Sequence, residues 1–200
     1  MELAEWFGNI DIYVFDQLLR GNIAPGMRVL DAGCGGGRNL VYLLGEGYEC
    51  FGADGNAEAV AYVRGMAAHL RPELPAGNFR VEAIEAMSFG EGFADVVLCN
   101  SVLQFARDEA QFAGMVRGLW RAVRPGGMLF CRLGSRIGME FPQVGGNIYR
   151  TGDGSEWFLV DEAMLLGWTR ELGGELMDPL KTTVVQGHRC MTTWVVRKGG

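Results

Sequence analysis

The chain is short of histidine, of paired cysteine and of charge gathered into blocks, and each shortage removes a class of function. Only His69 and His188 occur in 200 residues, and neither stands at ligand spacing from a cysteine, so no metal site is expected. The cysteines (34, 50, 99, 131 and 190) are odd in number, contain no Cys-x-x-Cys pair and sit in strand-like apolar surroundings. They read as buried thiols in a reducing compartment rather than as a disulfide framework. Lys and Arg total 18 against 24 Asp and Glu, a net charge of −6 without a basic cluster. That balance argues against a nucleic-acid backbone as the main partner. No run of eighteen apolar residues could span a membrane, and residues 1–9 lack the basic start and apolar block of a secretory leader. The expectation is a cytoplasmic chain forming a single domain over residues 1–200, long enough for a full core.

Glycine, by contrast, is plentiful at 31 residues, and its densest run organises the rest of the chain. This is Val29-Leu30-Asp31-Ala32-Gly33-Cys34-Gly35-Gly36-Gly37-Arg38-Asn39. Residues 27–30 form a short apolar run bounded by Pro25-Gly26 and read as a strand, whereas residues 39–44 carry a helical pattern. A strand, a glycine turn and a helix bring bare backbone N–H groups up to a flat or anionic ligand. The glycines supply positive φ and leave out the Cβ that would hold the ligand away. A dinucleotide fingerprint, Gly-x-Gly-x-x-Gly, fails here. Counted from Gly33 its last position is Arg38, and counted from Gly35 it is Leu40. What fits is Asp-x-Gly-x-Gly-x-Gly at Asp31, Gly33, Gly35 and Gly37.

That form, preceded by Val-Leu, resembles the first motif of class I S-adenosylmethionine-dependent methyltransferases. The Gly-Gly-Arg-Asn turn is similar to that of the small-molecule, tellurite-resistance-like branch. The resemblance covers roughly residues 25–200. It implies a Rossmann-like α/β fold: a seven-stranded, mostly parallel sheet of order 3-2-1-4-5-7-6, strand 7 antiparallel, with helices on both faces. It implies S-adenosyl-L-methionine as cofactor, and methyl transfer by in-line displacement to a small acceptor. Carried onto this chain, it points to Asp31, Gly33, Cys34, Gly35 and Arg38 around the turn. It points also to Asp54 and Gly55 after the second strand, to Ala83 and Ile84 after the third, and to Asn100 at the end of the fourth.

The remaining segments agree with this frame. Residues 48–53 read as the second strand, and Asp54 lies one βαβ step beyond Asp31, where an acid accepts hydrogen bonds from ribose hydroxyls. Asp54 can also cap the helix expected over 57–70. Residues 79–82 make a short third strand. Relatives often read adenine with an acid about four positions before a Leu-Pro-Phe-like triplet. Here the triplet is Met87-Ser88-Phe89 and the position holds Ala83, leaving Glu82, Glu85 or the backbone at Ala83 and Ile84. Residues 93–100 are a fourth strand, apolar almost throughout as befits a strand covered on both faces. Gln104 stands where relatives often carry a histidine. A helix over 108–123 buries Phe112, Met115, Val116 and Leu119, then turns at Arg124-Pro125-Gly126-Gly127, a further family signature. Residues 161–172 are a last helix. Strands at 175–185 and 189–197 are joined by Gln186-Gly187-His188, too short for a parallel crossover, so they pair antiparallel with Pro179 on an edge.

Two flanking pieces invite function. Residues 1–24 read as an N-terminal helical cap whose stripe of Ile12, Phe15, Leu18 and Leu19 covers the sheet; alternatively Trp6, Phe7 and Tyr13 roof the ligand. Residues 133–160, rich in glycine and without strong periodicity, leave the carboxyl edge of the sheet and read as a substrate lid. Arg132, Arg136, Arg150 and Arg189, with Tyr13, are the substrate-side candidates, since guanidinium groups gather where oxyanions bind. The competing reading pairs these arginines with acids such as Asp153 and Glu156. The donor is already activated, so a base is needed only for a protonated nucleophile; none declares itself, and His188 is the best-placed titratable group. Two other classes of function stay open. One is a catalytically idle S-adenosylmethionine sensor or partner subunit; the other is a nicotinamide-dependent reductase, which Arg38 and the terminal hairpin oppose.

Overall fold

Five apolar runs, each bounded by turn chemistry, become parallel strands of one sheet in the computed structural model, which describes residues 2–200. They are β1 (Arg28–Ala32), β2 (Glu49–Asp54), β3 (Phe79–Val81), β4 (Ala94–Asn100) and β5 (Val123–Gly134). β1 lies between β2 and β4, with Leu30 beside both Phe51 and Val97. The strand order reverses there, and an open α/β sheet of this kind binds ligands in the crevice at such a point. The Arg124-Pro125-Gly126-Gly127 corner belongs to β5 itself, bulged out between Val123 and Met128. A Cβ at Gly127 would sit 2.8 Å from the Asp95 carbonyl oxygen, so the corner needs a glycine.

Beyond β5 the chain forms β6 (Gln143–Gly145), β7 (Ile148–Arg150), β8 (Glu156–Phe158), β9 (Gly174–Leu176), β10 (Lys181–Val185) and β11 (Arg189–Lys198). β11 runs antiparallel to β5, with Trp194 opposite Cys131. β10 and β9 both pair antiparallel with β11, at its two ends. The order 3-2-1-4-5-7-6 is therefore observed, but strand six is in two pieces and the sheet has eight strands rather than seven. The break falls at Asp178-Pro179. Proline has no N–H to give a ladder, and the Asp178 carboxylate turns inward to accept from Gln17 Nε2 (2.9 Å) and Arg20 Nη1 (2.7 Å).

The helices are α1 (Leu3–Phe7), α2 (Ile12–Leu19), α3 (Val41–Gly45), α4 (Ala57–Leu70), α5 (Glu109–Ala122) and α6 (Glu162–Glu171). Asn56, Asp108 and Asp161 cap the last three through their side-chain oxygens, so the cap of α4 is Asn56 and not Asp54, whose Oδ1 accepts from Asn56 N instead. One face of the sheet packs Leu30, Val97 and Leu129 against Phe112, Leu119 and Leu165. The other packs Val29, Leu98 and Phe130 with Val14, Leu43 and Val63. All five cysteines are buried and unpaired. No helix among the described residues is long and apolar enough to cross a membrane.

Three expectations need correction. In α2 the anticipated stripe is rolled: Ile12 and Leu19 are 70% and 72% exposed, while Asp11, Val14 and Gln17 are buried. Polar anchors set that roll, because the buried Asp11 and Gln17 are held by Arg132 and Asp178. Trp6 and Phe7 do not roof a ligand; Phe7 stacks on Tyr42 (5.0 Å) and Trp6 Nε1 donates to Glu46 (2.9 Å), on α3. Residues 133–160 are not an irregular loop but carry the antiparallel sheet β6-β7-β8. This piece is closed at its base by a Ser135–Val160 bridge, and Phe158 stacks on Phe112 of α5 at 4.6 Å. Its strands are only three residues long, too short to show a period.

Candidate active site

The carboxyl ends of β1, β2 and β4 meet around the glycine turn. Gly33, Gly35 and Gly37 all have positive φ. At Gly33 a Cβ would collide with Val102 (2.4 Å), so packing demands glycine there; at Gly37 it would meet the flexible end of Met66 (2.5 Å), and the φ of +73 is what favours glycine. At Gly35 and Gly36 it would meet nothing within 4 Å, and this bare backbone borders a cavity of about 390 Å³. Gly33 N and Cys34 N donate to the Ala53 carbonyl (2.7 and 3.1 Å), and Gly35 N donates to Asp54 Oδ2 (2.8 Å). Asp54 Oδ1 accepts from Asn56 N (2.8 Å). The carboxylate thus pins the turn to β2 and still faces the cavity, with lone pairs to spare.

Beneath the turn lies Asp31, 1% exposed, neither of its carboxylate oxygens having a partner. Burial pushes its pKa up to about 7, with Arg38 opposing and Asp54 adding to the rise. Across the turn Asn100 Oδ1 accepts from Arg38 Nη2 (3.1 Å) and Ser101 Oγ (2.9 Å), whereas Asn100 Nδ2 is buried without a partner. Ser101 holds φ +62, a left-handed conformation costly for a residue with a side chain. Unpartnered buried acceptors and a donor beside a Cβ-free cradle are what a ligand with an ammonium and a carboxylate would satisfy. Cys34 borders the cavity, but burial holds its thiol protonated, as it does that of Cys50 (pushed up to about 12); Cys99 is pushed up by its side-chain contact with Cys131 and then by burial.

Asp11, from the N-terminal cap, pairs with Arg38 at the edge of this site, a placement the sequence does not announce. Its carboxylate is buried; Oδ2 accepts from Arg38 (3.2 Å) and Arg132 (3.0 Å), and its backbone N donates to Asn39 Oδ1 (3.0 Å). In sequence it reads as the cap of α2, which it also is, through Tyr13 N. Nothing in one sequence shows that two guanidiniums converge on it. Arg132 also lies over the Tyr13 ring (5.4 Å), whose hydroxyl bonds Thr183. A second cavity, about 270 Å³, shares Arg38, Ser101 and Phe105 with the first and adds Arg132 and Arg189.

Other sequence candidates are not brought together here. Arg136 pairs with Asp161 and Arg150 with Glu156 (2.8 Å), neither lining these two cavities. Asp153 instead accepts from Thr151 (2.7 Å) and Ser155 N (3.0 Å). His188 is an exposed hairpin residue whose carbonyl accepts from Gly152 N (3.0 Å), and it lines neither cavity. Ala83 and Gly55 are exposed, and Ile84 is buried under α5, its carbonyl 2.5 Å from where a Cβ on Gly118 would stand. Glu82 is engaged by Ser88 N (2.8 Å) and Glu85 by Gln111 (3.1 Å), which leaves backbone as the freer choice for a base edge.

Comparison with known proteins gives this geometry a family. An uncharacterised methyltransferase of Synechocystis is 33% identical over 116 residues, 57% of this chain and 51% of that protein. The ubiquinone biosynthesis O-methyltransferase of Methylocella silvestris is 36% identical over 121 residues, 58% of this chain and 44% of that protein. The chain spans about half the length of the curated relatives it matches. In fold it is similar to Burkholderia thailandensis 1,6-didemethyltoxoflavin-N1-methyltransferase, crystallised with 1,6-didemethyltoxoflavin and S-adenosylhomocysteine. That likeness has a TM-score of 0.72 at 16% identity, covering 97% of this chain and 80% of that one. It is also similar to TehB from Haemophilus influenzae, with a TM-score of 0.72 at 20% identity and coverage of 94% and 62%. Residues 30–131 match the methyltransferase domain family, and the chain belongs to it, among the class I enzymes that use S-adenosylmethionine.

Proposed function

We propose that this chain transfers a methyl group from S-adenosylmethionine, by in-line displacement, to a small anionic acceptor. The observation that carries the reading is the open backbone at Gly35 and Gly36 beside Asp54, with an arginine-lined cavity adjoining. When bound, the donor supplies a methyl group already activated by its positive sulfur, so the protein's work is alignment and exclusion of water. Asp54 accepts the ribose hydroxyls, with Gly55 beside it. Gly33 to Gly35 and Cys34 present backbone to the methionine portion. Asp31 receives its ammonium, Arg38 and the free Asn100 amide donate to its carboxylate, and the backbone at Ala83 and Ile84 borders adenine.

The acceptor sits over the second cavity, close to Arg132, Arg189 and Tyr13, under residues 133–160 as a lid. Arg136 and Arg150, already paired, brace that lid rather than hold substrate. The fold neighbour crystallised with 1,6-didemethyltoxoflavin supports a small-molecule acceptor. Five buried thiols suit a reducing, cytoplasmic setting. Incubation with labelled S-adenosylmethionine and a metabolite mixture should yield S-adenosylhomocysteine. Tight binding without any product would favour the idle sensor or partner subunit instead, and a preference for NAD would favour the reductase.

A further inference from the structure

The cavity on the acceptor side has an unusual wall. It carries three arginines, the amide of Gln104 and the aromatic rings of Phe105 and Trp157, and no carboxylate, imidazole, amine, thiol or phenol. The cations are not equally free. Arg38 and Arg132 share the Asp11 carboxylate, whereas Arg189, exposed on β11, enters no ion pair among the described residues. Proton acceptors nearby are already committed or out of reach. Asp11 Oδ1 accepts from Tyr13 N and Oδ2 from the two guanidiniums, the Tyr13 hydroxyl bonds Thr183, Asp31 is buried within β1 and outside this wall, and His188 also stands outside it. Phe105 is 63% exposed at the mouth, edge-to-face with Trp157 of β8 at 6.3 Å, so the two rings form an apolar corner open to solvent.

A wall of this kind cannot remove a proton from an alcohol or amine, yet it stabilises negative charge and covers a flat ring. We infer that the acceptor is a planar aromatic anion whose attacking atom is already unprotonated at neutral pH, its ring against Phe105 and Trp157 and its carboxylate or equivalent oxyanion on Arg189. This rests on the methyl-transfer reading above. The acceptor's lone pair forms the new bond to the methyl carbon, and the carbon–sulfur bond breaks with its electron pair passing to sulfur. No proton moves; sulfur loses its positive charge and the attacking atom gains one unit, so a thiolate becomes a neutral thioether while the carboxylate keeps its charge on Arg189.

Three probes separate the components: 2-mercaptobenzoate (ring, carboxylate and ionisable thiol), thiophenol (no carboxylate) and 4-(hydroxymethyl)benzoate (an alcohol needing a base). Release of S-adenosylhomocysteine is followed across pH 6–9, with S-adenosylhomocysteine affinity measured in parallel. The expected result is turnover of 2-mercaptobenzoate with a KM at least tenfold below that of thiophenol, its pH profile following the thiol's own ionisation. The benzoate alcohol competes but is not methylated. R189M should abolish the KM advantage of the acid and R189K partly restore it, with S-adenosylhomocysteine affinity unchanged. The inference is overturned if the alcohol is methylated at a comparable kcat, or if R189M keeps the KM ratio. It is equally overturned if 2-mercaptobenzoate neither reacts nor competes while S-adenosylhomocysteine binds. Failure of S-adenosylhomocysteine itself to bind would instead remove the methyl-transfer reading beneath it.

Discussion

A single methyl group separates Gly36 from alanine, and at this position it has room in the folded protein but not in the proposed complex. A Cβ there meets no protein atom within 4 Å and needs no positive φ. G36A should therefore fold with an unchanged denaturant midpoint, yet bind S-adenosylhomocysteine at least tenfold more weakly by calorimetry. Asp31 tests the electrostatics of the same site. Its pKa is about 7 in the native state against an ordinary carboxylate value when unfolded, so the native state holds the proton more tightly. The contribution of Asp31 to stability is then greatest at low pH, falls as pH rises from about 4 to about 7, and levels off above. D31N should flatten that slope and raise stability at pH 7.5 by up to roughly 4 kcal/mol, read from urea denaturation at several pH values. It should also weaken S-adenosylhomocysteine binding, because the ammonium loses its carboxylate.

At the scale of elements, α2 is held to the site by charge more than by its aliphatic residues. D11N leaves Arg38 and Arg132 facing a neutral amide. With Arg38 nearly half exposed, solvent screens part of the loss, and we expect destabilisation of about 1–2 kcal/mol. Hydrogen exchange should locate it, speeding at the amides of α2 while α4 and α5 keep their protection. The same helix shows where sequence reading stops. The 57–70 helix and α5 are legible from their apolar pattern and flanking turn residues, although the cap of the first is Asn56 rather than the Asp54 the sequence suggests. The roll of α2 is not, because Ile12 and Leu19 satisfy a helical period while Arg132, which pairs with Asp11, and Asp178, which pairs with Gln17, lie 121 and 161 residues away. Pro179 is readable as an edge residue, but that it splits a strand follows from Asp178 turning inward. Asp54 and the glycines are legible because backbone geometry restricts which residues can stand there. The arginines are less so: Arg132 and Arg189 reach the cleft and Arg136 and Arg150 do not, and only the course of residues 133–160 decides between them.

For the whole molecule, the reversal of strand order beside β1 is what brings the glycine turn, Asp54 and Asn100 to one crevice, with the acceptor cavity continuing from it. The antiparallel β11 then delivers Arg189 to the same edge, from a point in the chain far from the rest. The most direct measurement of the account is calorimetric titration of S-adenosylhomocysteine into the parent chain and D54A. The parent should bind at one site per chain, and D54A should lose about 10–100-fold in affinity, as expected when hydrogen bonds to a charged acceptor are removed. A parent that takes up no S-adenosylhomocysteine, or a D54A chain that binds it as tightly as the parent, would contradict the account.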